Sequence, residues 1–246
     1  MNVARDPVPS DEPHGDGGFP IVICGCHGGG TSYLAKLLRH SGLFVGADAG
    51  PPDARKYHES RAFLDENRKI LARFGDEKGM MDEAVEEAIE SLGSEEDAAG
   101  FAQAIDRNRL LSDFWGGDVP CGGWGWKDPR NSITYPVWKR VFPGARAIVL
   151  TKCVPRRPAI SRSGHWFRNL ATQWIRDRYT RPCWMDRWSG TLTVSFERIT
   201  SEHEAFNELL DFCQLPPRDA RGWQDLLEST GFEHEQPAPI DGVLKC

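Results

Sequence analysis

The residues with the clearest chemical potential run Gly25-Cys26-His27-Gly28-Gly29-Gly30-Thr31-Ser32. Their G-x-x-x-x-G spacing is that of a nucleotide phosphate loop. In such a loop glycines let backbone N–H groups turn inward around an anion, and the helix that follows adds unsatisfied donors and the positive end of its dipole. Thr31 and Ser32 add hydroxyl donors. A loop built for NTP hydrolysis places a lysine just before its Ser/Thr; here that residue is Thr31, so transfer of a γ-phosphate lacks its usual cationic clamp. The strand-like runs AIVLTK and TVSFE also lack an obvious magnesium-binding Asp at their ends. The pattern favours a metal-free phosphate cradle over an ATPase. The competing structural reading of the glycines is a tight strand-to-helix turn.

A phosphate loop needs a strand before it and a helix after it. Residues 19–24 (FPIVIC) form a short continuous apolar run of the kind found in strands buried on both faces. After the loop, Leu34, Leu37 and Leu38 recur at helical spacing, and Gly42 supplies a stop. Ser60 is placed to cap a second helix reaching Phe74, with Phe63, Leu64, Ile70, Leu71 and Phe74 as its apolar stripe. Residues 145–151 (ARAIVLT) read as a second buried strand and residues 191–196 (TLTVSF) as a third. Strands interleaved with helices predict an α/β fold with a central parallel sheet flanked by helices, a three-layer arrangement of the P-loop type. Ligands of such folds bind beyond the carboxyl ends of the strands, where the glycine loop falls.

The 246 residues suit one domain, expected over 19–232, between a disordered leader (1–18) and a loose tail (233–246). Within it, residues 76–118 hold thirteen Asp/Glu against Lys78, Arg107 and Arg109, and read as an acidic helical insertion or lid. Residues 119–188 reverse the balance, with fourteen Lys/Arg against Asp128, Asp177 and Asp186. A net charge of -6 gives no overall attraction to nucleic acid, so any anion site is local. No apolar run approaches the roughly 20 residues of a membrane span, and the opening lacks the features of a secretory signal. Seven cysteines without C-x-x-C pairing suggest neither a disulfide framework nor a zinc ribbon. A cytoplasmic protein without nucleic-acid or membrane partners is the expectation.

Over most of residues 20–200 the chain resembles the sulfotransferases that use 3'-phosphoadenosine 5'-phosphosulfate, specifically bacterial members with an H-R-S-G-T-S loop. His27-Gly28-Gly29-Gly30-Thr31-Ser32 falls on that loop, and Lys56-Tyr57-His58-Glu59-Ser60 with Asn67 resembles the segment carrying a glutamate before the second helix. Gly125-Trp126-Lys127-Asp128-Pro129-Arg130, with Trp138 and Phe142-Pro143 after it, resembles the W-K-D-P-R motif. AIVLTKCVPRRPAIS resembles the element that holds the donor's 3'-phosphate, with Ser161 on the matching serine. Thr193 to Glu197 resembles a later strand ending in an acid. The chain departs from the family at two places: Gly28 stands where the loop has a basic residue, and Cys153 where an arginine precedes the serine by eight positions. His27, Lys152, Arg156 and Arg162 are the nearby residues able to compensate.

The resemblance implies a donor site of His27, Gly28, Gly29, Gly30, Thr31, Ser32, Arg130, Lys152, Cys153 and Ser161, with no metal. It makes Glu59 the first choice for the base that takes the acceptor's proton, with His58 and His27 as alternates. Lys127 becomes the cation for charge developing on the bridging oxygen, with Asp128 placed to orient it. The implied activity moves a sulfuryl group to a hydroxyl or amine of a small metabolite or carbohydrate. The alternatives are a nucleotide-binding relative with altered donor use and a P-loop kinase-like phosphotransferase. Aromatic surfaces for adenine are sought among the nine tryptophans, most of which core packing explains.

Overall fold

Four strands meet in one parallel sheet in the order β2-β1-β3-β4: β1 is Ile21–Gly25, β2 Gly125–Lys127, β3 Arg146–Thr151 and β4 Thr191–Ser195. The computed structural model describes residues 18–25, 29–50, 58–78, 82–117, 122–151 and 190–231. Ile23 of β1 lies opposite Lys127 of β2 and opposite Ile148 of β3, so the strands run in step towards the same end. The chain leaves β1 for one edge of the sheet and returns to β3 on the other side. The carboxyl ends of β1 and β3 therefore flank a topological switch point, where open α/β sheets bind ligands.

Side chains alternate across the sheet. Ile21, Ile23, Ile148 and Leu150 face a layer made by α1 (Thr31–His40), α8 (His203–Phe212) and α9 (Ala220–Ser229). Val22, Cys24, Ala147 and Val149 face the other layer, made by α2 (Arg61–Ala72), α3 (Asp82–Leu92), α4 (Glu95–Gln103), α5 (Arg107–Trp115) and α6 (Asn131–Val141). A short helix α7 (Phe196–Ser201) follows β4 directly. The expected three-layer α/β architecture with a parallel sheet is the one observed.

The acid-rich segment folds into α3, α4 and α5. Val85, Ala88, Leu92, Ala98, Leu111 and Phe114 turn into the core, while Glu83, Glu86, Glu87, Glu90, Glu95, Glu96 and Asp97 stay exposed. Ser94 caps α4 by accepting from the Asp97 amide, and Glu95, Glu96 and Asp97 complement the positive end of its dipole.

Two local expectations change. The second helix stops at Ala72 rather than Phe74, and Gly75 turns the chain with φ 83°. Ser60 occupies the N-cap position of α2 but its hydroxyl makes no cap bond. The Arg61 amide, the first of the helix, donates to Asp48 Oδ2 at 2.6 Å, a charge-assisted bond from the preceding loop that sets a carboxylate at the positive end of the helix. No helix among the described residues is long and apolar enough to cross a membrane.

Candidate functional site

The glycine loop leaves the sheet through Gly25 and enters α1 through Gly30. Both have positive φ, 147° and 94°, and neither tolerates a side chain. A Cβ on Gly25 would come within 2.7 Å of Thr31 Cγ2 and 3.0 Å of the Leu150 carbonyl oxygen, and one on Gly30 within 2.6 Å of the Phe196 ring. The start of α1 is thus drawn tightly against β3 and the β4–α7 junction. Gly30 has no side chain to offer as N-cap and the first turn of α1 holds no acid. The first amides of the helix lack intrahelical acceptors and no acid of its own first turn offsets the dipole there, which suits an anion. Gly29 and Thr31 are buried and Ser32 is half-buried.

From the other side the loop is gripped by the beginning of α6. Ser132 Oγ accepts from the Gly25 amide at 2.9 Å, and Asn131 Nδ2 donates to the Ile23 carbonyl at 3.0 Å. These two residues directly follow the G-W-K-D-P-R segment, so the turn after Lys127 and the end of β1 that leads into the glycine loop are bolted together. Neither Asn131 nor Ser132 was expected in the site; their only sequence signal is adjacency to that motif.

Lys127 is the last residue of β2, 3% exposed, and its ammonium donates to Glu59 Oε1 at 2.5 Å. The Glu59 carboxylate is 15% exposed. The fold therefore joins a candidate base and a candidate cation from positions 68 residues apart. His58, the neighbouring alternate base, is buried. Asp128 does not orient Lys127 through a hydrogen bond. Its Oδ1 accepts from the Arg130 amide and from Arg130 Nη1, both at 3.0 Å, and its Oδ2 accepts from Asn67 Nδ2 at 2.9 Å. Arg130 is buried there and also donates through Nε to the Glu77 carbonyl at 3.3 Å. Through Nε and Nη1 the guanidinium ties the α2–α3 connection to the turn after β2.

Asn67 stands at the centre of this arrangement, fully buried. It donates to Asp128 Oδ2 and Asn131 Oδ1, both at 2.9 Å, and its carbonyl accepts from Thr134 Oγ1 at 2.6 Å and Trp138 Nε1 at 2.8 Å. Every hydrogen-bonding site of the amide is used, so α2, which follows Glu59, is held in fixed relation to the turn that follows Lys127.

Trp124, Trp126 and Trp138 are core rings, with Trp126 stacked on Phe63 at 4.0 Å and edge-on to Trp138 at 5.4 Å. None of these three offers a free face to an adenine. Cys24 is buried beneath the loop, and burial, followed by the Asp128 charge, pushes its thiol well above the ordinary value. Both described cysteines, Cys24 and Cys213, are reduced and buried. His27, Gly28, Lys152, Cys153 and Ser161 lie outside the described residues, as do residues 1–17 of the leader and the tail. Among the described residues no group of three or more His, Cys, Asp or Glu side chains is gathered as a metal would require.

No family model matches the chain. No curated protein matches it either. Among solved structures it is similar to the sulfotransferase domain from the curacin biosynthetic pathway, with 12% identity and a TM-score of 0.46 over 86% of this chain and 77% of that one. It is also similar to sulfotransferase STF9 from Mycobacterium avium, with 15% identity and a TM-score of 0.41 over 86% of this chain and 67% of that one. The architecture described above rests on the chain's own sheet order and two buried faces.

Proposed function

We propose that this chain is a sulfotransferase that takes a sulfuryl group from 3'-phosphoadenosine 5'-phosphosulfate to a hydroxyl or amine of a small metabolite or carbohydrate. The observation that carries the reading is the Lys127–Glu59 pair at the carboxyl end of β2, beside a glycine loop whose following helix has no acid in its first turn. The motif resemblance names these two residues as cation and base; the fold brings them into contact.

The residues present fit such a donor. Gly25 and Gly30 let the loop pack directly on Thr31, Leu150 and Phe196, and the opening amides of α1 with Thr31 and Ser32 suit its 5'-phosphate end. The donor supplies the sulfuryl group and a phosphate leaving group. Glu59 is the carboxylate that takes the acceptor's proton, and Lys127 offsets negative charge growing on the leaving phosphate oxygen in a site largely screened from water. Arg130 is a clamp on the Lys127 turn, its guanidinium engaged by Asp128 and the Glu77 carbonyl. In this reading His27, Lys152, Cys153 and Ser161 belong to the remainder of the donor site.

Calorimetric titration with 3'-phosphoadenosine 5'-phosphate against AMP, ADP and ATP tests the reading without knowledge of the acceptor. The expected result is preferential binding of the bisphosphate, and equal affinity for AMP would remove the 3'-phosphate site. Magnesium-dependent turnover of ATP would replace the sulfuryl reading with a phosphotransferase.

A further inference from the structure

The same ion pair poses a problem of order. Glu59 and Lys127 are assigned to opposite ends of the transferred group, yet they hold each other, and Glu59 is the acceptor the Lys127 ammonium uses among the described residues. A phosphate brought to Lys127 would meet the Glu59 carboxylate already seated against the same Nζ. Two anions crowded at one largely buried cation repel, and burial keeps water from screening them. One of the three groups has to move.

The surroundings decide which. Lys127 lies in a strand paired to β1, between Trp126, whose Nε1 donates to Asn131 at 3.2 Å, and Asp128, which is locked by Arg130 and Asn67. Glu59 lies outside the first turn of α2, which begins at Arg61, and its carboxylate is the more exposed of the pair at 15%. The lysine is fixed and the glutamate is the movable partner.

We propose that Glu59 and the anionic donor compete for the Lys127 ammonium, so that donor binding displaces the carboxylate and thereby frees it to receive the acceptor's proton. This inference rests on the sulfotransferase reading and adds to it an order of events, donor first and base second. In the empty site the pair neutralises both charges, and the base is withheld until the group to be transferred is in place.

The test is the affinity of the folded full-length protein for 3'-phosphoadenosine 5'-phosphate in Glu59→Gln, Glu59→Asp, Lys127→Met and the Glu59→Gln/Lys127→Met double variant. Losing a competing charge-assisted bond should tighten binding in Glu59→Gln by about tenfold. Glu59→Asp keeps the charge but shortens the reach, so it should also tighten, and it carries the test alone if Glu59→Gln fails to fold. Lys127→Met should weaken binding, and in its background Glu59→Gln should bring no gain. Wild-type affinity in both Glu59 variants overturns the competition. So does a gain that persists without Lys127, or an equal gain from Glu66→Gln on the outer face of α2, since either would mark a general charge effect. If the wild-type protein does not bind the bisphosphate at all, the donor reading falls and this inference with it; selective binding without a Glu59 effect removes the inference alone.

Discussion

At the scale of single residues the sharpest constraint is Gly30. It combines a backbone that side-chain-bearing residues rarely adopt, φ 94°, with a phenylalanine ring directly where its Cβ would stand. The contact runs from the entrance of α1 to the first residue of α7, so it couples the loop to the β4 edge of the sheet. Gly30→Ala should lower stability by roughly 2–3 kcal/mol, from conformational strain plus displacement of Phe196. A urea titration checks this as a lower midpoint with an unchanged slope. Removing the ring with Phe196→Ala should recover part of the Gly30→Ala loss relative to Phe196→Ala alone, because it removes the Cδ2 and Cε2 atoms the new Cβ meets and leaves the positive φ. No recovery would place the whole cost in the backbone.

At the scale of elements the site depends on α2 and the β2–α6 turn being held together, and Asn67 is the joint. Removing its amide in Asn67→Ala strands the Trp138 indole, leaves the Thr134 hydroxyl only the Arg130 carbonyl at 3.2 Å, and takes a donor from Asp128 and Asn131. Unsatisfied buried polar groups cost about 1–3 kcal/mol each, partly relieved by rearrangement, so a loss of roughly 3 kcal/mol is expected by denaturant titration. A loss under about 0.5 kcal/mol, the range of an ordinary surface change, would show that the network is not the joint. Little of this was legible in the sequence. β1, β3 and β4 announced themselves through apolar or alternating runs, and α1 and α2 through their leucine and phenylalanine spacing. β2 did not, because Gly125–Lys127 is too short for any period to show and exists as a strand through its pairing with β1. The Asp48 cap was equally hidden, since it reaches α2 from a loop thirteen residues upstream. Glu59 and Lys127 were legible as types at matching motif positions, but their contact was not, because 68 residues separate them.

At the scale of the molecule, exposed acids cover both layers, Glu83, Glu87 and Glu95 on one and Glu204, Glu208, Asp225 and Glu228 on the other, while Lys139, Arg140 and Arg146 of the basic half reach backbone carbonyls. Lys139 donates to the Ala145 carbonyl, Arg140 to the Glu95 carbonyl, and Arg146 lies over the Phe19 ring and donates to the Phe212 carbonyl. The layer of α1, α8 and α9 carries two groups whose titration reports on global stability. Burial pushes the Tyr33 phenol up to about 12 despite its bond to Thr230, and burial pushes the Cys213 thiol up to about 12 despite the nearby Arg146 charge. Both are acids kept neutral by the fold, with ordinary values of 10.0 and 9.0. As pH rises the unfolded chain releases these protons first. The stability they contribute is therefore whole below about pH 9 and is lost progressively up to about pH 12. The urea midpoint should fall over that window. In the Tyr33→Phe/Cys213→Ala double variant the starting midpoint should be lower, because a hydrogen bond and buried volume are lost, and its decline across the same window should be shallower. Deprotonation of lysines is common to both proteins, so the difference in slope isolates the two buried acids. Parallel declines would mean that Tyr33 and Cys213 titrate alike in the folded and unfolded chains, and that the layer of α1, α8 and α9 does not exclude water from them.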